Sequence, residues 1–231
     1  MADHEAAAAL GRKAGKRSCK ELREAVVRHG KGLSSDDLAL LGTLGSVLPA
    51  LEDLRLYESS GAAGRDGMQR LADKLGAGAL PAVTLLNLSF MHVGDAGASA
   101  LAAALGRGAL PRLKSLLLGR TAIGDAALVA LAPVLRRLPE LERLDLDGNP
   151  FGDKGLAALV APPPAAGAPP TTKLKELSLK DTEVSDAGCA ALAAALDSGA
   201  LPALAHLYLL GTRASAAGTA TVRRRAGLVV L

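Results

Sequence analysis

The stretch LPELERLDLDGNPFGDKGLAAL, Leu138–Leu159, decides how the whole chain is read. Leu141, Leu144 and Leu146 set an L-x-x-L-x-L spacing, and Asn149 follows them. Phe151, Gly152, Asp153 and Gly155 then lead into an apolar tail with helical spacing. Leu144 and Leu146 stand two apart, so both point to one face of a short strand.

Five further copies align on this one. LPALEDLRLYESS starts at Leu48, LPAVTLLNLSFMHVGDAGASALAAAL at Leu80 and LPRLKSLLLGRTAIGDAALVALAPVL at Leu110. TTKLKELSLKDTEVSDAGCAALAAAL starts at Thr171 and LPALAHLYLLGTRASAAGTATV at Leu201. Successive starts lie 32, 30, 28, 33 and 30 residues apart, the period of a stacked repeat array. The strand pairs are Leu54/Leu56, Leu86/Leu88, Leu116/Leu118, Leu144/Leu146, Leu177/Leu179 and Leu207/Leu209.

Three residues after each pair comes Ser59, Thr121, Asn149, Thr182 or Thr212, with Met91 the exception. A small hydrogen-bonding side chain there can satisfy backbone groups where a stacked coil turns. Met91 cannot, so the second layer is expected to be looser. The Gly-Asp or Ser-Asp pairs at Asp95, Asp125, Asp153 and Asp186 read as helix N-caps. Gly78, Gly108 and Gly199, each with a proline beyond, read as helix stops.

A strand then a helix every 30 residues or so gives a parallel sheet with helices on its other side. Strands stack about 4.8 Å apart, whereas packed helices need about 8–10 Å. The array therefore bends with its strands inside. An aromatic content of 2% fits many small Leu/Ala layers better than one large irregular core.

The pattern L-P-x-L-x-x-L-x-L…(N/T)…(V/I)-G-D-x-G-x-x-A-L-A-x-A-L resembles the leucine-rich repeats of the ribonuclease-inhibitor-like subfamily. NOD-like receptors and GTPase-activating proteins for Ran carry such repeats. The resemblance covers roughly residues 48–222 and implies an α/β leucine-rich-repeat horseshoe, a right-handed solenoid with an inner parallel sheet and outer helices. It also implies a protein-binding role, without naming a partner.

Outside the clear repeats, residues 1–21 read as a basic, flexible leader. Residues 22–47 read as either a degenerate repeat, with Leu22, Ala25 and Val27 in weak register, or an amphipathic capping helix. Residues 48–231 are the six repeats. Their fourth helix runs into APPPAAGAPPTT, whose prolines cannot continue it, so 161–172 is expected to be an outer loop. Leu228–Leu231 is a candidate final edge strand.

Residues 1–31 carry the whole net charge of +4, which leaves the repeat body neutral. A general polyanion-binding surface on the repeats is thereby disfavoured. The uncharged run Leu75–Gly94 is as long as a membrane span. However, it contains Gly76, Pro81, Asn87 and His92 and falls in the repeat frame. Cys19 and Cys189 match no metal spacing. The N-terminus has neither a secretory h-region nor the composition of a transit peptide, so an intracellular, cytoplasmic protein is expected.

No nucleophile elbow, P-loop, dinucleotide fingerprint or H-E-x-x-H occurs, and the four histidines are scattered. The sequence therefore points to no enzyme, no cofactor and no metal. The sequon at Asn87 falls on an expected strand and is discounted.

The remaining candidate site is the inner face, where residues flanking the leucine pairs face the hollow. They are Arg55 and Tyr57; Leu85 and Asn87; Leu117; Arg143, Asp145 and Asp147; Glu176 and Lys180; and His206 and Tyr208. Both tyrosines of the chain fall here, and aromatics are favoured interface anchors. The leading reading is a scaffold, monomeric when unbound, that holds a protein partner on this face. The alternatives are regulation of a small GTPase, with Arg120 at the rim, or contact of Arg12–Lys31 with nucleic acid or an anionic surface. That leader lacks aromatics to stack bases.

Overall fold

A computed structural model of the chain describes residues 24–27, 35–43, 48, 50–56, 64–161, 173–224 and 228–231. Eight parallel strands form one open sheet in strict sequence order, each pairing with the next. They are β1 (Glu24–Val27), β2 (Asp53–Leu56), β3 (Leu85–Asn87), β4 (Ser115–Leu117), β5 (Arg143–Asp145), β6 (Glu176–Ser178), β7 (His206–Tyr208) and β8 (Val229–Val230). Between them run α1 (Ser35–Thr43), α2 (Gly64–Lys74), α3 (Gly94–Gly106), α4 (Asp125–Leu135), α5 (Asp153–Val160), α6 (Asp186–Asp197) and α7 (Ala216–Arg223). Each helix packs on the one before and the one after, giving a second layer outside the sheet.

Leucine sets the register. Leu54, Leu86, Leu116, Leu144, Leu177 and Leu207 stand opposite one another across successive strands. Leu56, Leu88, Leu118, Leu146, Leu179 and Leu209 form a second buried column. The two columns meet the buried Ala and Leu of the helices, so the core is one ribbon along the array. Ala98, Ala102, Ala127 and Ala132 on α3 and α4 are buried, and their small side chains let neighbouring helices approach closely.

β1 and α1 occupy the same places in the stack as the strand and helix of the later units, with Ala25 opposite Leu54 and Val27 opposite Leu56. At the other end, β8 pairs with β7 through Val229 and Val230. The leader at 1–21, Tyr57, Ser59 and the prolines of 162–172 lie outside the described residues. The run Leu75–Gly94 holds the turn after α2, β3 and the loop up to the first residue of α3. No helix among the described residues is long and apolar enough to cross a membrane.

The polar column closes the turns. Thr121, Thr182 and Thr212 each donate a hydroxyl to the carbonyl three residues back, at 2.7, 2.7 and 2.9 Å. Asn149 does this and more, because its amide also reaches the previous coil. At Met91 the side chain is buried instead, 2% exposed, and fills the space with apolar volume.

The aspartates do not cap their own helices. The N-cap positions are Gly124, Gly152, Ser185 and Ser215, and the aspartates sit in the first turn. Each carboxylate instead reaches the helix start of the following coil. Asp95 accepts from the Gly124 amide at 2.6 Å, and Asp125 from the Gly152 and Gly155 amides at 2.9 and 2.8 Å. Asp153 accepts from the Ser185 amide at 2.8 Å and hydroxyl at 2.6 Å, and Asp186 does the same with Ser215. The chemistry is that of an N-cap, but the acceptor comes from the neighbouring coil, because adjacent helix ends stack side by side.

This ladder explains the second glycine of the G-D-x-G pattern. A Cβ on Gly155 would stand 2.7 Å from Asp125 Oδ1 and 3.1 Å from Leu128 Cδ1. Alanine normally stabilises a helix interior relative to glycine by about 1 kcal/mol. Here we expect the opposite sign. Gly155→Ala should lose roughly 1–3 kcal/mol in urea unfolding, the cost of forcing atoms into a filled space. An increase in stability would contradict the packing described.

The ladder also predicts acid sensitivity. Desolvation raises the Asp153 carboxyl pKa, but the Ser185 hydroxyl and the Ser185 and Gly188 amides more than offset it, leaving it below the usual value. A depressed folded-state pKa means the contribution is present above the unfolded value of about 3.9. It is lost as pH falls through the folded value. Asp153→Asn should therefore remove part of the pH dependence of the urea midpoint below pH 5 or so, leaving its slope above that unchanged. Parallel pH profiles for the two proteins would rule this out.

α5 has 8 residues, against 11–13 in α3, α4 and α6. Beneath its end lies an apolar cavity of ≈ 20 Å³ lined by Leu135, Leu141, Leu159, Val160 and Leu174 among others. Arg136 closes that end of the helix, donating from Nη1 to the Ala158 carbonyl at 2.7 Å. Burial, with the Arg137 charge beside it, holds the Arg136 guanidinium below its ordinary pKa.

Candidate functional site

Alternation along each strand sends one set of side chains into the ribbon core and the other into the hollow of the arc. Cα register aligns the second set in rows. The first row runs Asp53, Leu85, Ser115, Arg143, Glu176, His206. The second runs Arg55, Asn87, Leu117, Asp145, Ser178, Tyr208. One residue past the second leucine column stand Ser89, Gly119, Asp147, Lys180 and Leu210.

Most of these residues are half-buried, because side chains on strands about 4.8 Å apart shade one another. Arg143 is the exposed one of the candidate set. Asn87 is the outlier in the other direction. It is 7% exposed, and its Oδ1 accepts from the Ser89 amide at 2.9 Å. An amide so placed organises the strand end and presents little to a partner. The same burial leaves the sequon inaccessible as the chain is folded. Tyr57 lies outside the described residues.

Charges on the face are largely matched within it. Arg55 pairs with Asp53 at 3.1 Å and Arg143 with Glu176 at 3.5 Å. The Lys180 ammonium lies 4.5 Å from the centroid of the Tyr208 ring. Asp145 Oδ1 accepts from the Asp147 amide at 3.0 Å, and Asp147 Oδ1 from the Lys180 amide at 2.9 Å. Desolvation is the largest influence on Asp145 and raises its pKa. The Asp147 charge adds to this, while the Asp147 amide, Arg143 and Lys180 oppose it.

Above these rows runs a rim that the strand pattern alone does not reveal. Phe90, Arg120, Gly148, Asp181 and Gly211 occupy equivalent places in five coils, all with positive φ of 67°, 55°, 65°, 53° and 75°. Glycine takes that conformation freely, but the other three side chains hold it at a cost of roughly 1–2 kcal/mol each. Their side chains lie along the arc. The Arg120 guanidinium sits 5.9 Å from the Phe90 ring centroid and 4.0 Å from Asp181. Its stem crosses Gly148, where a Cβ would stand 2.6 Å from Arg120 Cγ. Phe90 and Leu210 are 55% and 72% exposed, at opposite ends of this strip. Val229, opposite His206, and Leu231, two residues on, add exposed apolar surface along the edge of β7. The sequence signal for the rim was a column holding glycine in two coils and bulky residues in three.

Among the described residues, no group of three or more His, Cys, Asp or Glu is placed to hold a metal ion. Cys189 is a free, buried thiol whose pKa is raised by desolvation and by the nearby charges of Asp186 and Asp153. Neither feature offers reactive chemistry on the inner face.

A family model described as leucine-rich repeat matches residues 81–102, 138–160 and 172–193, which are three of the repeats. No curated protein matches the chain. Among solved structures, a protein from Bacteroides fragilis is similar at 12% identity with a TM-score of 0.53, covering 96% of this chain and 68% of that one. A structure titled Leiomodin-1 Actin-Binding Site 2 is similar at 17% identity with a TM-score of 0.46, covering 84% of this chain and 90% of that one. The repeat matches and the sheet-and-helix architecture agree: the fold is an α/β leucine-rich-repeat solenoid.

Proposed function

We propose that this leucine-rich-repeat array, of the ribonuclease-inhibitor-like type, is a non-enzymatic scaffold that binds a partner protein along its concave sheet. The observation that carries the reading is where apolar surface remains exposed. Among the described residues the exposed large hydrophobics are Phe90, Val129, Leu210, Val229 and Leu231, and all but Val129 border the hollow. Exposed apolar side chains gathered at one surface, interleaved with polar and charged residues, are the composition of a binding face. We further infer that the chain acts in the cytoplasm and is monomeric until it binds. The free thiol of Cys189 is in keeping with a reducing compartment.

The test compares two faces of the same fold. Capture of partners from native extract should be lost when Asp145 and Asp147 are reversed to lysine, or when Tyr208 is changed to alanine. Val129→Asp on the outer helix α4 should leave capture intact, and all variants should keep the circular dichroism of the parent. Loss of capture through Val129→Asp alone would move the site to the helical face.

Regulation of a small GTPase through Arg120 draws no support from its surroundings. That side chain is engaged by Phe90 and Asp181 rather than projecting alone.

A further inference from the structure

The described cations of the inner face and rim are each occupied within the molecule. Arg55 faces Asp53, Arg143 faces Glu176, Arg120 spans Phe90 and Asp181, and Lys180 lies on Tyr208. Asp145 and Asp147 are different. Among the described residues no cation stands within ion-pair distance of either, and the hydrogen bonds to their carboxylates come from the amides of Asp147 and Lys180. A carboxylate has about four lone-pair sites, so each retains acceptors facing the hollow.

The ground on one side of them is partly apolar. Leu117 is the register neighbour of Asp145, Asn87 takes the next place in that row, and Leu85 lies in the adjoining row opposite Ser115. Between the two carboxylates and Ser89 the face is floored by Gly119, where an added Cβ would be 3.4 Å from Asp145 Oδ1 and 3.5 Å from Ser89 Oγ. Beyond it stands the exposed ring of Phe90. The surface thus carries two half-buried leucines among small polar residues on β3 and β4, and two carboxylates at β5, whose Arg143 is turned to Glu176.

We propose that the concave sheet takes a polypeptide segment carrying a lysine or arginine next to an apolar residue. The cationic head meets Asp145 and Asp147, and its apolar neighbour covers Leu117. This deepens the binding role proposed above and rests on it. Charge-assisted hydrogen bonds to a half-buried carboxylate are the strong kind, and the low local dielectric strengthens them further. A nucleic acid fits poorly, because its phosphates would meet the two carboxylates and find the neighbouring cations engaged.

The experiment uses fluorescent peptides of about twelve residues, ample for the roughly 19 Å from β3 to β7 at about 3.4 Å per extended residue. The set shares leucine-rich flanks and differs only at a central Lys, Gln or Glu. Binding to the full chain is read by anisotropy, alongside an oligothymidylate. The Lys peptide should bind about tenfold tighter than the Gln peptide, and the Glu peptide weakest. The variant D145N/D147N keeps a side-chain oxygen to accept from each backbone amide and should erase the Lys preference while circular dichroism stays unchanged.

Equal binding of Lys and Gln peptides, abolished by Leu117→Asp, would overturn the cationic requirement and leave the concave face standing. Binding abolished by Val129→Asp and untouched by Leu117→Asp would overturn the concave reading itself. Tightest binding of the Glu peptide, displacement by the oligothymidylate, or no peptide binding up to millimolar concentration would each overturn the inference.

Discussion

Asn149→Ala is expected to lower the unfolding free energy by about 3–5 kcal/mol, although the side chain is small and polar. Its amide is 1% exposed and serves two coils. Oδ1 accepts from the Thr121 and Ile123 amides at 3.0 and 3.1 Å, and Nδ2 donates to the Leu118 and Leu146 carbonyls at 2.7 and 2.9 Å. Truncation strands two buried backbone donors, at about 1–3 kcal/mol each, besides the carbonyls. Asn149→Thr should recover only part of the loss. A threonine hydroxyl closes its own coil, as Thr121 and Thr182 do, but does not reach the amides of the previous one. Urea midpoints and slopes for the three proteins decide this. A loss under about 1 kcal/mol for the alanine variant would mean that water takes over the amide's role.

Phe151→Ala should cost about as much, roughly 3–5 kcal/mol, by a different route. Phe151 heads the largest fully buried side chains and is 0% exposed. Equivalent places in the coils of β3, β4, β6 and β7 hold Val93, Ile123, Val184 and Ala214. The β5 coil thus carries an aromatic ring where the others carry an aliphatic group. Phe151→Leu keeps an aliphatic side chain larger than valine and should cost only about 1–1.5 kcal/mol. Thermal unfolding of both variants checks the ranking. If leucine proved as costly as alanine, the ring would have a role beyond filling volume.

Much of the fold could be read from spacing, and the reasons are local. Leu54/Leu56 and their counterparts are two apart, so their strands and register follow from geometry that any short window contains. The threonine hydroxyls also act within three residues. What could not be read acts across coils. Asp125 and Gly152 are neighbours in space but 27 residues apart, so the aspartates looked like caps of the helices they begin. For the candidate face, alternation named the side of the sheet correctly without giving depth. Asn87 shares a row with Leu117 and Asp145 yet turns its amide back onto Ser89. Phe90, Arg120 and Asp181 stand where the chain takes a left-handed turn, a conformation that strand periodicity does not encode.

The aspartate ladder gives the array a polarity. Asp125 caps α5, Asp153 caps α6 and Asp186 caps α7, while α7 carries no acid in its first turn to hand onward. Shortening from the C-terminal side removes a beneficiary and leaves the aspartate contacts of the remaining helix starts from α4 onward in place. Shortening from the N-terminal side removes a donor and leaves the next helix with open amides. The order of the ladder is therefore also the order of synthesis. A coil leaving the ribosome finds the acceptor for its own helix already standing in the coil made before it.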